Sequence, residues 1–462
     1  MYYTSDKQVA ALLPSNTPTT GPGTFTVTYN GQTSNNAGHG IATANAGIFT
    51  IDSSGQGPGI FTYADYSLVS AIKSANCGGP NTTCGAANPG DTLIIWATGL
   101  GAVNGDDASG AGLGVNMPNL PLSLWVGGIK ANVLYQGRSG CCVGEDQIVF
   151  TVPDNARLGC AVPVVIQIGT NANTISNSVV LPIAKGSRTC TPAAASLAQI
   201  DFAQAAANGF VSVADIKLQH FSDGGGKFED DGRAQFININ SFTPGSLPFA
   251  PSWVDSQPSG TCLVYNNLNE NQNVPFLNFL ALDAGAAATV KGPNGSVNLP
   301  SNGKDATFDA SGSFLTPGSY TMTTPGGADV GPVSFNFTIP ALPTLTSPVN
   351  NAAVTRSAGL PVTWTGGSGT LIIEIAAPVD TTGNNGYVGV CFVDAAAKSF
   401  TVPPYILLAL PPTPTNFSSG FVLSSRVVNA FSASGLNGGS LTTLLNAAGF
   451  GFFWGSGGFL LR

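Results

Sequence analysis

Apolar residues in this chain come in short runs, most of them closed by Gly, Asn or Pro. Phe25, Val27 and Tyr29 alternate with Thr24, Thr26 and Thr28, the period of two expected of a strand with one buried face. Thr92-Leu-Ile-Ile-Trp-Ala-Thr98 is an apolar run ended by Gly99, as in a central sandwich strand. Leu122–Val126, the pair Gly127-Gly128 and Ala131–Tyr135 read as strand, turn and return strand. The same pattern predicts strands at Ala288–Lys291, Gly318–Thr323, Val333–Ile339, Leu360–Thr365, Thr370–Ala376, Lys398–Val402 and Gly420–Val428. Helical pattern is confined to Ala-rich Ser196–Asn208 and one turn at Pro404–Leu410. The fold class that follows is all-β: tandem antiparallel β-sandwiches in an elongated array.

Composition fits this reading. The 59 Gly and 32 Pro among 462 residues supply turns, and 9% charged residues are too few for long surface helices or coiled coils. A hydrophobic share of 43% argues against global disorder. A net charge of −8 argues against a nucleic-acid partner. No stretch of about 20 apolar residues would cross a membrane as a helix.

An internal repeat sets the domain organisation. Gln8 matches Gln147 and Pro14 matches Pro153, both 139 positions apart. At the same spacing Thr24–Tyr29 lies over Pro163–Ile168, and the turns YNGQTSN and IGTNANTISN follow. About a hundred residues of further strands precede these elements in the second copy, and almost nothing precedes them in the first. Residues 1–44 are therefore expected to form the C-terminal half of a sandwich. Truncation, processing or strands supplied by another molecule would each explain it. Residues 45–187 form a complete sandwich, 188–341 a β-rich domain with a short helix, and 342–462 a terminal sandwich. The polar segment 184–190 and the Pro-rich linker 340–348 mark the later boundaries.

Eight cysteines at irregular spacing, with no C-x-x-C pair, read as disulfides of an exported chain. Cys77 and Cys84 bracket a polar loop and are expected to pair. Cys141 or Cys142 is expected to reach Cys160, with the remaining one reaching Cys190, and Cys262 with Cys391 is the remaining combination. The expected location is extracellular or at the cell surface, although MYYTSDKQVAALLPS has no signal-peptide pattern.

The segments GIFTIDSSGQGPG (47–59), PGDTLIIWATGLGAV (89–103), VGGIKANVLYQGRSGCCVGEDQIVFTVP (126–153) and GCAVPVVIQIG (159–169) carry a family likeness. Residues 1–187 resemble an uncharacterised β-sandwich domain family that recurs in exported proteins of acidobacteria. Residues 280–341 and 343–403 look like modules that accompany it. The resemblance implies an immunoglobulin-like fold, export, and a position late in a long surface or secreted protein. That family has no established activity, so it assigns no functional residues. The chain departs from the family's pattern in lacking a signal peptide and the upstream half of the first sandwich.

Catalytic signals are sparse. The two histidines, His39 in a polar stretch and His220 after an alternating run, are far apart. No G-x-S-x-G elbow, P-loop or H-E-x-x-H occurs. The expectation is no enzyme and no cofactor. Asp223, Glu229, Asp230 and Asp231 are weak calcium candidates read as a hairpin tip, without EF-hand spacing. Trp96, Trp125 and Trp364 lie in strand patterns and are expected in cores, which leaves Trp253 as the candidate glycan contact. Phe450, Phe452 and Trp454, in the uncharged tail, would share a strand face and are candidates for completing a neighbouring molecule's sheet.

The leading functional expectation is therefore an extracellular structural protein, a stalk or a subunit of a surface assembly or filament. Its partners would be itself or other surface proteins. An adhesion or glycan-binding module is the alternative, and an accessory part of a secreted hydrolase the second alternative.

Overall fold

The computed structural model describes residues 3–51, 53–71, 85–104, 114–169, 175–191, 210–222, 228–240, 257–266, 278–304, 306–379, 386–414, 417–450 and 460–462. Cys77, Cys84, Asp223, Trp253, Phe452, Trp454 and the Ser196–Asn208 segment fall outside them. The described residues are almost entirely β-strands in packed, mainly antiparallel sheets, with one α-helical turn at Pro404–Ala409.

Residues 47–183 form a sandwich of two five-stranded sheets. One sheet orders Asn132–Arg138, Asp146–Thr151, Thr92–Thr98 and Gly47–Ile48, with Phe61–Thr62 also on Thr92–Thr98. The other orders Ile129–Lys130, Leu122–Val126, Gly159–Ile168, Val179–Ile183 and Gly57–Pro58. Leu93, Ile95, Ile148 and Phe150 of the first sheet share a buried core with Leu124, Val164, Ile166 and Leu181 of the second. Period-2 alternation turns these side chains inward, and their burial is the main stabilising term.

The C-terminal part differs from the expected division. One nine-stranded sheet runs Thr261–Asn266, Gly386–Asp394, Thr370–Pro378, Gly420–Phe431, Gly438–Phe450, Phe210–Ser222, Phe228–Asn240 and Asn278–Ala281, with Ala306–Asp309 on Phe228–Asn240. Strands from both sides of the 341/342 boundary thus share it. That boundary divides the chain but not the sheet. The reason is remote pairing: Phe210–Ser222 lies parallel to Gly438–Phe450, and Thr261–Asn266 lies antiparallel to Gly386–Asp394. The long hairpin Gly420–Phe431/Gly438–Phe450 spans two cores. Phe421 and Leu423 enter the one around Trp364, while Phe431, Leu441 and Leu445 enter the one around Phe236, Tyr320 and Phe337.

The sandwich and the terminal part meet in a packed junction. The Trp125 ring stacks on Tyr405, with centroids 4.9 Å apart. Burial pushes the Tyr405 phenol well above its usual pKa. The Val264 N–H donates to Ser178 Oγ at 3.2 Å, and Leu263 packs on Ala161 and Val180. Of the three tryptophans expected in cores, Trp364 is buried and donates to the Ala395 carbonyl, whereas Trp96 and Trp125 are half-buried.

The disulfides correct part of the sequence reading. Cys141 pairs with its neighbour Cys142, and Cys160 pairs with Cys190. Neither Cys141 nor Cys142 reaches Cys160. Cys160 lies on the Gly159–Ile168 strand, whereas Cys141 and Cys142 follow Asn132–Arg138 of the opposite sheet. Cys190 comes back to Cys160 because its N–H donates to the Ala71 carbonyl, inside a small buried cluster of Ala71, Ala86 and Ala184. Cys262 pairs with Cys391 across adjacent strands.

Candidate functional site: the open sheet face of residues 1–44

The first repeat copy folds as strands Tyr3–Thr4, Val9–Ala10, Gly21–Phe25, Thr28–Tyr29, Gln32–Thr33 and Ala37–Ile41. The pairing of Gly21–Phe25 with Ala37–Ile41 reproduces that of Gly159–Ile168 with Val179–Ile183. In the sandwich, Val162, Pro163 and Val164 lie opposite Leu181, Val180 and Val179. In the first copy, Gly23, Thr24 and Phe25 lie opposite His39, Gly38 and Ala37. The two registers superpose once the turn is allowed to be three residues shorter, as YNGQTSN is than IGTNANTISN. His39 is thus a strand residue, its ring edge-on to Phe25 at 5.9 Å, rather than part of a loop.

The hydrogen bonds repeat as well. The Ile166 N–H donates to Ser176 Oγ at 2.9 Å, and the Ser176 hydroxyl donates to the Asn177 carbonyl at 2.8 Å. The Val27 N–H donates to Ser34 Oγ at 3.0 Å, and the Ser34 hydroxyl donates to the Asn35 carbonyl at 2.9 Å. Beyond the preceding strand, Ala156 N–H donates to the Pro153 carbonyl as Thr17 N–H does to that of Pro14.

The copies differ in what covers them. Val164, Ile166 and Ile168 are 0%, 0% and 5% exposed, whereas their counterparts Phe25, Val27 and Tyr29 are 43%, 50% and 77% exposed. Val9 and Leu13 are exposed where Ile148 and Val152 are buried. The expected buried face of Phe25, Val27 and Tyr29 is therefore uncovered among the described residues. Local alternation makes the face, but only an opposing sheet buries it, and that sheet comes from remote strands in the second copy. The first copy is nevertheless anchored. Val103 N–H donates to Ser15 Oγ, and Asn45 N–H donates to the Gly99 carbonyl. Gly99 has a φ of +85°, and a Cβ there would lie 2.1 Å from the Asn45 carbonyl oxygen, so only glycine permits this approach.

Asn177 shows what the covered state requires. Its Oδ1 accepts from Ile48 N–H at 2.7 Å, and its Nδ2 donates to the carbonyls of Ile48 (2.9 Å) and Gly55 (2.8 Å). This side chain ties the first segment of the sandwich to its last strands. Asn177→Ala is expected to destabilise the sandwich by about 3 kcal/mol, since three partners lose roughly 1 kcal/mol each. Chemical denaturation followed by tryptophan fluorescence would measure it. Asn35, its counterpart, is exposed, and its side chain makes no hydrogen bond among the described residues.

The other sequence candidates do not converge on a site. Glu229, Asp230 and Asp231 lie within the strand Phe228–Asn240, not at a tip. Alternation turns Asp230 away from its two neighbours. It is buried, accepts from His220 Nδ1 at 2.7 Å and from the Phe314 and Leu315 N–H groups, and is thus a structural anchor. His220 stacks on Phe228. Asp231 accepts from Gln219. Among the described residues these carboxylates thus lie on opposite faces of the strand and do not converge. The cluster Cys141, Cys142 and Glu145 has both sulfurs tied in a disulfide, and burial raises the Glu145 carboxyl pKa. Of the tail candidates, Phe452 and Trp454 lie outside the described residues. Leu460–Leu461 pairs with Ala353–Val354, and Leu461 is buried in the terminal core of its own chain. Phe450 ends the strand paired with Gly420–Phe431, opposite Phe421.

No protein-family model and no curated protein matches the chain. Solved structures with similarity include an I-band fragment of titin, 7% identical, over 78% of this chain and 93% of that one, at a TM-score of 0.13. A surface glycan-binding protein from a Bacteroides ovatus mixed-linkage glucan utilization locus is 12% identical, over 63% of this chain and 56% of that one, at 0.14. The N-terminal eight immunoglobulin domains of Down Syndrome Cell Adhesion Molecule are 8% identical, over 92% of this chain and 52% of that one, at 0.15.

Proposed function

We propose that this chain is a non-enzymatic extracellular structural protein, a β-sandwich stalk or assembly subunit that joins its neighbours by intermolecular strand pairing at residues 1–44. The observation carrying this reading is the exposure of Phe25, Val27 and Tyr29 where Val164, Ile166 and Ile168 are core residues. An uncovered apolar sheet face with free edges is a template for strand addition. The disulfides Cys160–Cys190 and Cys262–Cys391 support an oxidising compartment, where such bonds persist. No described helix is long and apolar enough to cross a membrane. Pinned sheets and a packed junction suit a load-bearing role.

Sedimentation velocity of the full chain over a range of concentrations tests the reading. The expected result is concentration-dependent association that Val27→Asp with Tyr29→Asp abolishes without lowering the thermal midpoint, because both side chains are already exposed. A wild-type chain that stays monomeric throughout overturns it.

A further inference from the structure

We infer that Asn35 and the open edge at Ala37–Gly38 form a receptor for one kind of segment: an extended stretch with the pattern of Gly47–Gly59, supplied by a second polypeptide. The inference rests on the assembly reading and names its occupant. The repeat supplies the argument. In the sandwich, the segment that covers the last strands meets two recognition elements. Asn177 takes the N–H and carbonyl of Ile48 and the carbonyl of Gly55. Two residues on, Gly57 and Pro58 lie parallel to Val179 and Val180, and the Gly59 N–H donates to the Val180 carbonyl.

Both elements have counterparts at matching backbone positions in the first copy. Asn35 follows the same serine, held by the same pair of hydrogen bonds as Asn177. Ala37 and Gly38 stand where Val179 and Val180 stand, as their shared register with Phe25 and Thr24 fixes. Among the described residues the Ala37–Ile41 strand pairs only with Gly21–Phe25, so its other edge is open. A Cβ placed on Gly38 or Gly40 would meet nothing within 4 Å.

The chemistry of the occupant follows from what Asn177 holds. It must present an N–H and a carbonyl at one residue and a second carbonyl seven residues on, then continue as a strand beside Ala37 and Gly38. A turn as tight as Ser53–Gly55 brings the two carbonyls to one amide, and Ser53 and Gly55 both have positive φ. Ile48 and Phe61 are core residues in the sandwich, so apolar side chains at the matching positions would lie over Phe25, Val27 and Tyr29. The chain's own Gly47–Gly59 is engaged by Asn177 and paired with Thr98. The occupant is therefore a separate segment of the same type.

A labelled synthetic peptide of residues 45–62 is the probe, titrated by fluorescence anisotropy against the full chain. The expected result is saturable binding, weakened roughly tenfold or more in Asn35→Ala, since three hydrogen bonds are lost. Asn35→Asp keeps the acceptor and loses both Nδ2 donors, so an intermediate loss is expected. Asn35 is exposed, and circular dichroism should show both variants folded. Absence of saturable binding of the free peptide, or equal binding by Asn35→Ala, overturns the inference. So does a chain with residues 45–62 fused ahead of Met1 that gains Asn35-dependent stability while the free peptide fails to bind, because the source is then the same polypeptide. Sedimentation separates the two readings: association without peptide binding sinks this inference and leaves the assembly reading standing.

Discussion

Asp146→Ala is expected to cost the 47–183 sandwich about 4 kcal/mol, the cost of breaking a buried pair by removing one partner. The Asp146 carboxylate is fully buried and forms an ion pair with Arg138. Its second oxygen accepts from Leu100 N–H at 2.8 Å, and Arg138 donates also to the Gly101 carbonyl at 2.8 Å. Removing the carboxylate leaves a buried guanidinium and a buried N–H without their acceptor. The double variant Arg138→Met with Asp146→Leu removes both charges together, and a much smaller loss is expected. Urea denaturation of the three proteins measures the difference. A loss below about 1 kcal/mol for Asp146→Ala would mean that the pair is not structurally required.

The same position explains how the two repeat copies diverge. The residue 139 positions before Asp146 is Lys7, exposed at the start of the first copy. A lysine cannot replace a carboxylate that accepts from an arginine and a backbone N–H. The first copy therefore lacks the electrostatic lock of the sandwich while keeping its hairpin and its Ser34–Asn35 turn. An isolated two-stranded sheet is marginal in water, so Gly21–Phe25 and Ala37–Ile41 depend on their anchorage to Gly99 and Val103 and on whatever covers them.

Strands were legible where the signal was local. Val333–Ile339 has the predicted bounds, Thr370–Pro378 and Gly420–Phe431 run two or three residues beyond theirs, and the turn at Pro404–Ala409 is helical. The repeat was legible because Gln8 with Gln147, and Pro14 with Pro153, kept their spacing through a three-residue change in the following turn. Long-range partners were not legible. Nothing local to Phe210–Ser222 says that it pairs with Gly438–Phe450. Nor does the alternation of Phe25, Val27 and Tyr29 say whether an opposing sheet is present. The acidic triplet at 229–231 looked like a tip because charges favour turns. It lies in the first residues of the strand Phe228–Asn240, where His220 and two backbone N–H groups satisfy Asp230. The signal for Asn35 and Asn177 was in view, since both repeat turns close on Ser-Asn, but its meaning required the bonds that Asn177 makes to Ile48 and Gly55.

Joint replacement of Cys262 and Cys391 by Ala is expected to produce the largest loss, about 5 kcal/mol. The two lie 129 residues apart in sequence, and the chain-entropy estimate for a loop of that length gives roughly this value. Both are buried, so alanine avoids stranding a hydroxyl in the core. The consequence for the assembled molecule is larger than the local one. Thr261–Asn266 is the terminal strand of the nine-stranded sheet, and its Val264 N–H reaches Ser178 of the sandwich while Leu263 packs on Ala161 and Val180. The disulfide thus fixes the strand through which one part of the chain holds the other. Its removal should lower the midpoint of the C-terminal part and leave that of the sandwich, pinned by Cys160–Cys190, nearly in place. Differential scanning calorimetry would show this as one transition separating from the rest, and mild reduction of the native chain should reproduce it if Cys262–Cys391 is opened first. A double variant that melts within a degree or two of the native chain would show that the edge strand is held by its ladder to Gly386–Asp394 and its apolar contacts alone.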